Sequence, residues 1–439
     1  MELRVEHTPG AATSIDAVLR HQPRSRHTEL LPRPPDLAGI MEVAAEQLAR
    51  PEPAVLEHLR VFNTALGNLH AAGLVEMLQR PDVLVVTAGQ QPALFGGPLL
   101  ALHKCAGAAL LAQRLREHSG RPVVPVFWVH DVDHDLGEAN RGLVPAGGDF
   151  EKARLPLHHD GAPLAARLLD AACVQRIAGW LARLGVADQP ALHAHAGESL
   201  AHWSTRALYH ALPHGMPVLF ASATELSLSA RPFLAEAHAL HAEVAVAAHE
   251  GVRRVTSAGF TPQVDPRGGA QIWMLDQQGV RRALPANAAE HTGALSPGVL
   301  LRPLVQQWLL PVVAHVNGPA ENAYFAQLPA LFQVFGLPVP ALIPRPSITW
   351  VTPRMQALMK AQGIALALAA SAPGDWPRLT ADGARVHELA TWLRPRGRPQ
   401  ERAHCWWAIG KEPAQELESY DVLDSRPAVI FRPGSASTP

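Results

Sequence analysis

Residues 82–135, DVLVVTAGQQPALFGGPLLALHKCAGAALLAQRLREHSGRPVVPVFWVHDVDHD, constrain the fold more than any other stretch. An apolar run at 83–86 leads into a Gly/Gln/Pro loop at 89–97. Pro98 then opens a long Ala/Leu segment, and a second apolar run at 123–129 ends in a burst of His and Asp. Strand, polar loop, helix, strand is a βαβ unit, and such crossovers are right-handed in nearly all cases. Both polar loops therefore leave the carboxyl edge of a parallel sheet. If the two strands are neighbours, Gln90 and Gln91 face Asp133 and His134 across one crevice, where open α/β sheets bind ligands.

The rest of the chain reads as α/β. Residues 1–80 carry helical patterns at 37–48 and 54–78 and form an N-terminal helical segment. A core spans 81–350, with insertions at about 141–205, read as helical, and about 225–298. Within the second insertion, a helix is expected at 229–250 and a hairpin at 268–284, turning at Gln278-Gly279. A short strand is expected at 217–221. A second α/β block follows, with a helix at about 299–310, a strand at 311–316, a turn at Asn317-Gly318-Pro319, a helix to Phe335 and a strand at 339–343. Residues 351–439 read as a shortened helical and irregular region, rich in Pro, Arg and Gly.

At 439 residues with 48% hydrophobic and 18% charged content, the chain reads as a soluble globular protein. Lys+Arg 38 against Asp+Glu 39 leaves no basic footprint for nucleic acid and no polybasic membrane patch. The three cysteines, Cys105, Cys173 and Cys405, are widely spaced with no CxxC. That argues for a reducing, cytoplasmic setting and against a disulfide frame or zinc site. No signal peptide or membrane-spanning run is expected. The four lysines stand out among so many arginines, and Lys104 lies inside the βαβ unit. It reads either as a solvated helix residue or as a point charge for an anionic ligand.

The loop GQQPALFGGP is neither GxGxxG nor a P-loop. Gly96 and Gly97 still allow close backbone approach, and Pro98 suits a first helical position, whose free N–H groups favour a phosphate or carboxylate. The run His130-Asp131-Val132-Asp133-His134-Asp135 follows a buried strand. It reads as a substrate or proton-transfer site, with Asp133 or Asp135 orienting His134, or as a capping loop. A metal site is the third reading, but the spacing matches no zincin and no metal is expected. Glu321 reads as a ligand-edge residue or as a complement to a helix dipole. Arg302 and Arg345 could clamp a carboxylate. Cys105 reads as a small core residue.

The segments TAGQQPALFGGPLLALHK, PVVPVFWVHDVDHDLGEAN, LSPGVLLRPLVQQWLLPVVAHVNGPAENAYFAQL and IPRPSITWV occur in this order. Together they resemble the bacillithiol-biosynthesis cysteine-adding family, the cysteine ligases. The resemblance implies a Rossmann-like parallel-sheet core similar to class I aminoacyl-tRNA synthetases. It implies a ligase that joins L-cysteine to glucosaminyl-malate, with ATP or another nucleotide as an unestablished co-substrate. Carried onto this sequence, it implies His134, Asp133 and Asp135 as catalytic residues. It likewise implies Gln90, Gln91, His103, Lys104, Asn140, Arg302 and Glu321 as substrate- or nucleotide-binding residues, and the turn glycines Gly96, Gly97 and Gly318 are read as binding residues beside them.

Some positions depart from the family pattern: Ala88 precedes Gly89, Val132 stands where the family has glutamate, and its GGPGE turn is Asn317-Gly318-Pro319-Ala320-Glu321. The family's dimerising coiled coil is not expected, because Pro373, Pro377, Pro395 and Pro399 interrupt the tail. Any homodimer would use another face. Two alternatives stay open: a metal-dependent hydrolase using the 130–135 loop, and a non-catalytic paralogue that binds a small anion.

Overall fold

The structure, a computed structural model, describes residues 4–7, 30–46, 48–146, 149–213, 216–266, 272–277, 279–285, 288, 294–346, 348–351 and 428–431. It opens with strand β1 (Arg4–His7), where the sequence reads as helical, and helices α1 (Leu37–Ala44), α2 (Pro53–Ala65) and α3 (Ala71–Leu78). The βαβ unit follows as β2 (Leu84–Gln90), α4 (Leu99–Ser119) and β3 (Val123–Val129). Next come α5 (Leu136–Ala139), β4 (Gly142–Ala146), β5 (Asp149–Ala153), α6 (Ala171–Arg183), α7 (Leu200–Ala211) and β6 (Leu219–Ser222). Helices α8 (Ser227–Ala239) and α9 (His241–Ser257) precede a small sheet of β7 (Ile272–Leu275), β8 (Arg281–Ala283) and β9 (Leu295–Pro297). The last block is α10 (Arg302–Leu309), β10 (Val312–Asn317), α11 (Pro319–Phe325), α12 (Pro329–Val334) and β11 (Ala341–Pro344). Strands β12 (Ile348–Val351) and β13 (Ala428–Phe431) form a separate sheet with β1.

The central sheet has the order β11-β10-β2-β3-β6, and every pairing is parallel. Its first strand, β2, lies in the middle. The chain builds outward through β3 and β6, then returns to the other side of β2 for β10 and β11. The order thus reverses between β2 and β10, a topological switch point of the doubly wound type.

Period-two alternation divides the core into two faces. Leu84, Val86 and Ala88, with Val123, Phe127 and Val129, join helices α1, α4, α6 and α7 in one apolar cluster. Val83 and Val85, with Val124, Val126 and Trp128, join α3, α8, α9, α10 and α12 in the other. Strands covered on both faces need apolar residues at every position, which is why 123–129 was legible as an unbroken run. Helix α4 is likewise buried on nearly all sides and stops at Gly120, whose φ of 66° is the left-handed cap glycine tolerates. The helices before residue 80 pack on the same sheet. Asn63, with 0% exposure, donates to Phe220 O at 2.7 Å and accepts from Phe220 N at 2.9 Å, pinning α2 to β6.

Several expectations are corrected. The helical pattern at 54–78 is two helices, broken where Gly67 adopts φ 72°. The 229–250 pattern is α8 and α9, meeting at Leu240, and the helix expected to reach Phe335 is α11 and α12. The insertion at 141–205 opens with the antiparallel hairpin β4–β5, because five-residue strands are too short to register against a helical period. The hairpin at 268–284 forms as β7–β8, with Asp276 Oδ1 accepting from Val280 N at 2.8 Å across the turn and Gly279 at φ 74°. The prolines of the tail and the coiled-coil expectation lie outside the described residues. Among the described residues no helix is long and apolar enough to cross a membrane.

Candidate active site at the strand switch point

Beyond the carboxyl ends of β2 and β10 lies a cleft of about 350 Å³. Its lining includes Gln90, Gln91, Lys104, His130, Asp133, Arg302, Gly318 and Glu321, which come from both sides of the switch point. Lys104 ties these ends together. It is 3% exposed, and its Nζ donates to Gly89 O at 2.9 Å and Gln90 Oε1 at 2.6 Å, and pairs with Glu321 Oε2 at 2.5 Å. Burial pulls the Lys104 pKa down, and the Glu321 carboxylate opposes that shift. Glu321 Oε2 also accepts from Gly318 N at 2.7 Å, so one carboxylate closes the β10–α11 turn and holds the lysine. Both readings of Glu321 therefore meet in one side chain.

The two strands that end at the cleft also carry buried polar residues. His315 on β10 pairs in register with Thr87 on β2, and its Nδ1 lies 2.8 Å from Thr87 Oγ1. Thr87 Oγ1 also lies 3.3 Å from Gln306 Oε1 on α10. Beside them His130 leaves the end of β3 with 8% exposure. Its Nε2 stands 2.9 Å from where a Gly89 Cβ would lie, and Trp128 O is 2.8 Å from the same point. Gly89 thus makes room for His130. Gly89→Ala is expected to destabilise the protein by about 1–3 kcal/mol through overpacking. Denaturant unfolding checks this, and an unchanged midpoint would show that the two strands can separate without cost. Burial, with the Arg302 and Lys104 charges and His315, holds His130 well below its ordinary pKa, so the ring is neutral.

His134 sits at the rim and is not among the residues lining the cleft; its side chain is 39% exposed. Asp133 Oδ1 accepts from the His134 backbone N–H at 2.7 Å, whereas the ring Nδ1 is 3.6 Å away. Asp135 Oδ1 accepts from Glu138 N at 2.9 Å as the cap of α5. Neither carboxylate is within hydrogen-bond distance of the imidazole, and both accept from the loop backbone. The ring's neighbour is Arg281 from β8, with Nη1 3.4 Å from His134 Nδ1. Arg281 is itself laid over Trp273 of β7, 4.7 Å from the ring centroid. An arginine can only donate, so His134 Nδ1 is the acceptor in this contact.

Four other expected site residues stand outside the cleft lining. His103 has 0% exposure, burial pulls its pKa to about 3, and it does not line the cleft. Asn140 accepts from Leu155 N and donates to Leu155 O, both at 2.7 Å, so its amide staples backbone. Gly96 and Gly97, at φ 83° and 85°, are buried in a turn that Ser204 of α7 holds through Ala93 N at 2.9 Å and Ala93 O at 2.6 Å. They shape the turn and do not line the cleft. Asp131, beside His130, accepts from Ser222 Oγ at 2.5 Å and Thr224 N at 2.9 Å, fastening β3 to β6. Val132 is buried in the second apolar cluster, also away from the cleft lining.

Glu138 and Tyr324 also line the cleft, and Arg281 and Trp273 stand beside His134; none of the four is marked out by its local sequence. Arg345, noted as a clamp candidate, does line the cleft; its backbone N donates to Asn317 O at 2.7 Å. Among the described residues no group of three His, Cys, Asp or Glu side chains is arranged to hold a metal ion.

The family model described as "Bacillithiol biosynthesis BshC, N-terminal Rossmann-like domain" matches residues 33–287 and 274–346. Proteins named "Putative cysteine ligase BshC" are similar to this chain. That of Koribacter versatilis is 31% identical over 330 residues, covering 69% of this chain and 61% of the relative. That of Desulforamulus reducens is 28% identical over 355 residues, covering 70% and 62%. That of Bacillus licheniformis is 27% identical over 350 residues, covering 71% and 63%. The chain thus spans a little under two thirds of the length of these relatives. The matched segment contains every strand of the central sheet and both sides of the cleft, and takes in well over half of the sequence. This chain belongs to the BshC family of bacillithiol biosynthesis.

Proposed function

We propose that the chain is a cysteine ligase, which forms the amide between the L-cysteine carboxyl group and the amine of glucosaminyl-malate. The observation that carries this reading is the switch-point cleft, with cationic Arg302 and Lys104 and anionic Asp133 and Glu321 on one concave surface. Both substrates are small and bear positive and negative groups, which such a surface suits. In the reaction the C–N bond forms, the bond from the carbonyl carbon to its activating group breaks, and the attacking amine loses a proton. A nucleotide such as ATP is the class of co-substrate that supplies the activation.

His134 is our candidate for the proton. Its Nδ1 is the acceptor that faces Arg281, and taking up the amine proton there requires the 3.4 Å contact to open. His134→Ala is expected to lower turnover ~10²–10⁴-fold. Its melting should hardly change, since the residue is partly exposed. The test is bacillithiol formation from L-cysteine and glucosaminyl-malate with ATP, followed by thiol labelling, alongside a thermal melt. No product from the folded wild-type protein with any nucleotide rejects the ligase reading and leaves the non-catalytic, anion-binding one. Wild-type rates in His134→Ala remove that residue from the mechanism.

A further inference from the structure

The cleft holds two polar atoms that no group among the described residues satisfies. His130 Nδ1 and Arg302 Nε are buried and make no hydrogen bond among the described residues. Both side chains line the cleft, and His130 is more than nine-tenths buried. Leaving such atoms unpaired costs free energy, so positions like these indicate a ligand or ordered water. Lys104 does not fill this role. Its ammonium has three donors, and it faces three acceptors in Gly89 O, Gln90 Oε1 and Glu321 Oε2. Its charge is also matched by Glu321. Arg302 has no carboxylate within ion-pair distance among the described residues and is a cation open to an incoming anion.

The cleft carries the opposite charge as well. Asp133 and Glu138 both line it. Partial burial, then the charges of Asp135 and Asp133, raise the Glu138 pKa, while Arg141 opposes them and Arg281 Nη1 stands 3.9 Å from Asp133 Oδ1. An ammonium there relieves that repulsion. A phosphate-rich ligand would meet these carboxylates unfavourably, whereas a zwitterion answers both sets of groups. Leu100 and Tyr324 add apolar surface for a short side chain.

We propose that the cleft contains an α-amino-acid subsite, with the carboxylate held by Arg302 and His130 and the ammonium held by Asp133 and Glu138. Under the ligase reading on which this rests, its occupant is L-cysteine. His130 acts as a neutral donor: its ring carries a proton on Nδ1 and resists a second one. The arrangement sets specificity through the α-carboxylate, because removing it leaves His130 and Arg302 buried and unpaired.

The test is calorimetric titration of the full chain, under reducing conditions, with L-cysteine, cysteamine and 3-mercaptopropionate. L-cysteine is expected to bind at least ~10-fold more tightly than either analogue, since each lacks one charged group that the subsite pairs. His130→Ala and Arg302→Gln should each weaken L-cysteine by a similar factor and leave cysteamine unchanged. Glu138→Gln should weaken L-cysteine and cysteamine together. Thermal melts identify any variant that unfolds, and Arg302→Gln, half-buried at a helix start, serves if His130→Ala does. The proposal is overturned if wild type binds L-cysteine no better than cysteamine, or if the folded variants bind it as wild type does. It is also overturned if His130→Ala and Arg302→Gln instead lose glucosaminyl-malate, a result that leaves the ligase reading intact. Binding as expected without bacillithiol formation has the reverse meaning: the subsite stands and the ligase reading falls.

Discussion

Lys104→Met is expected to abolish turnover and to cost about 3 kcal/mol of stability, the lower end of what breaking a buried ion pair costs. The lower end applies because Glu321 keeps 19% side-chain exposure and can rehydrate in part. Gly89 O and Gln90 Oε1 lose their donor at the same time, and the β2 and β10 loops lose their shared fastening. A double-mutant cycle in denaturant separates these contributions. Glu321→Gln alone should destabilise, since it leaves the lysine charge buried beside neutral amides. The pair Lys104→Met/Glu321→Gln should cost less than the sum, by about 1–3 kcal/mol. Strict additivity would mean that the 2.5 Å contact carries no coupling, and that Lys104 is held by the β2 backbone alone.

Mild acid is expected to unfold the protein, through histidines that the fold keeps neutral. Burial pulls His103 and His315 to about 3 and holds His130 well below its ordinary value. In the unfolded chain each titrates near ~6.5. Their contribution to stability is therefore complete above that pH and is lost as pH falls toward the folded values. Asp131 works the other way. Burial raises it to about 6 from 3.8, so its contribution is complete below 3.8 and is lost as pH rises through 6. On acidification between those limits it offsets one of the three histidines. The unfolded state then binds about two more protons than the folded one, and stability falls by ~2.7 kcal/mol per pH unit. Against a typical total of ~5–15 kcal/mol, two such units are severe. Urea midpoints measured from pH 7 to 4.5 give the slope, and His315→Gln should remove about one proton from it. A flat profile would show that these rings are protonated, or solvated, in the native protein.

The parts of this architecture that could be read in advance are those fixed by local chemistry. Strand β3 spans the expected 123–129 because burial on both faces leaves an apolar run with no other use. Strand β2 runs on to Gln90, beyond its apolar stretch, because Thr87, Ala88 and Gly89 pair with Val126, Phe127 and Trp128. That polar extension is where the site begins, so the period signal fades where function starts. Lys104 was visible through its rarity and its place in the βαβ unit. His103 and Asn140 stand outside the cleft lining, which their residue types could not reveal: a residue type shows that a polar atom exists, not what surrounds it. His130 was noticed within its motif, but its importance depends on the missing side chain at Gly89, a contact between two strands. Arg281 lies 147 residues from His134, and no spacing rule links them.

That rim arginine has a bearing on how such a chain can change. Trp273 and Arg281 belong to β7 and β8, which pair with each other, β7 also pairing with β9; among the described residues neither pairs with the central sheet. The hairpin is an exchangeable part, inserted between β6 and β10, while the buried polar residues of β2 and β10 stand on the framework. Doubling the length of a flexible connection costs only ~0.6 kcal/mol. Sequence drift in the hairpin can therefore alter what is admitted to the cleft while those buried polar residues stay as they are. Diversification of substrate preference in chains built this way should concentrate in 272–297, as swaps of whole turns, before it reaches the strands beneath.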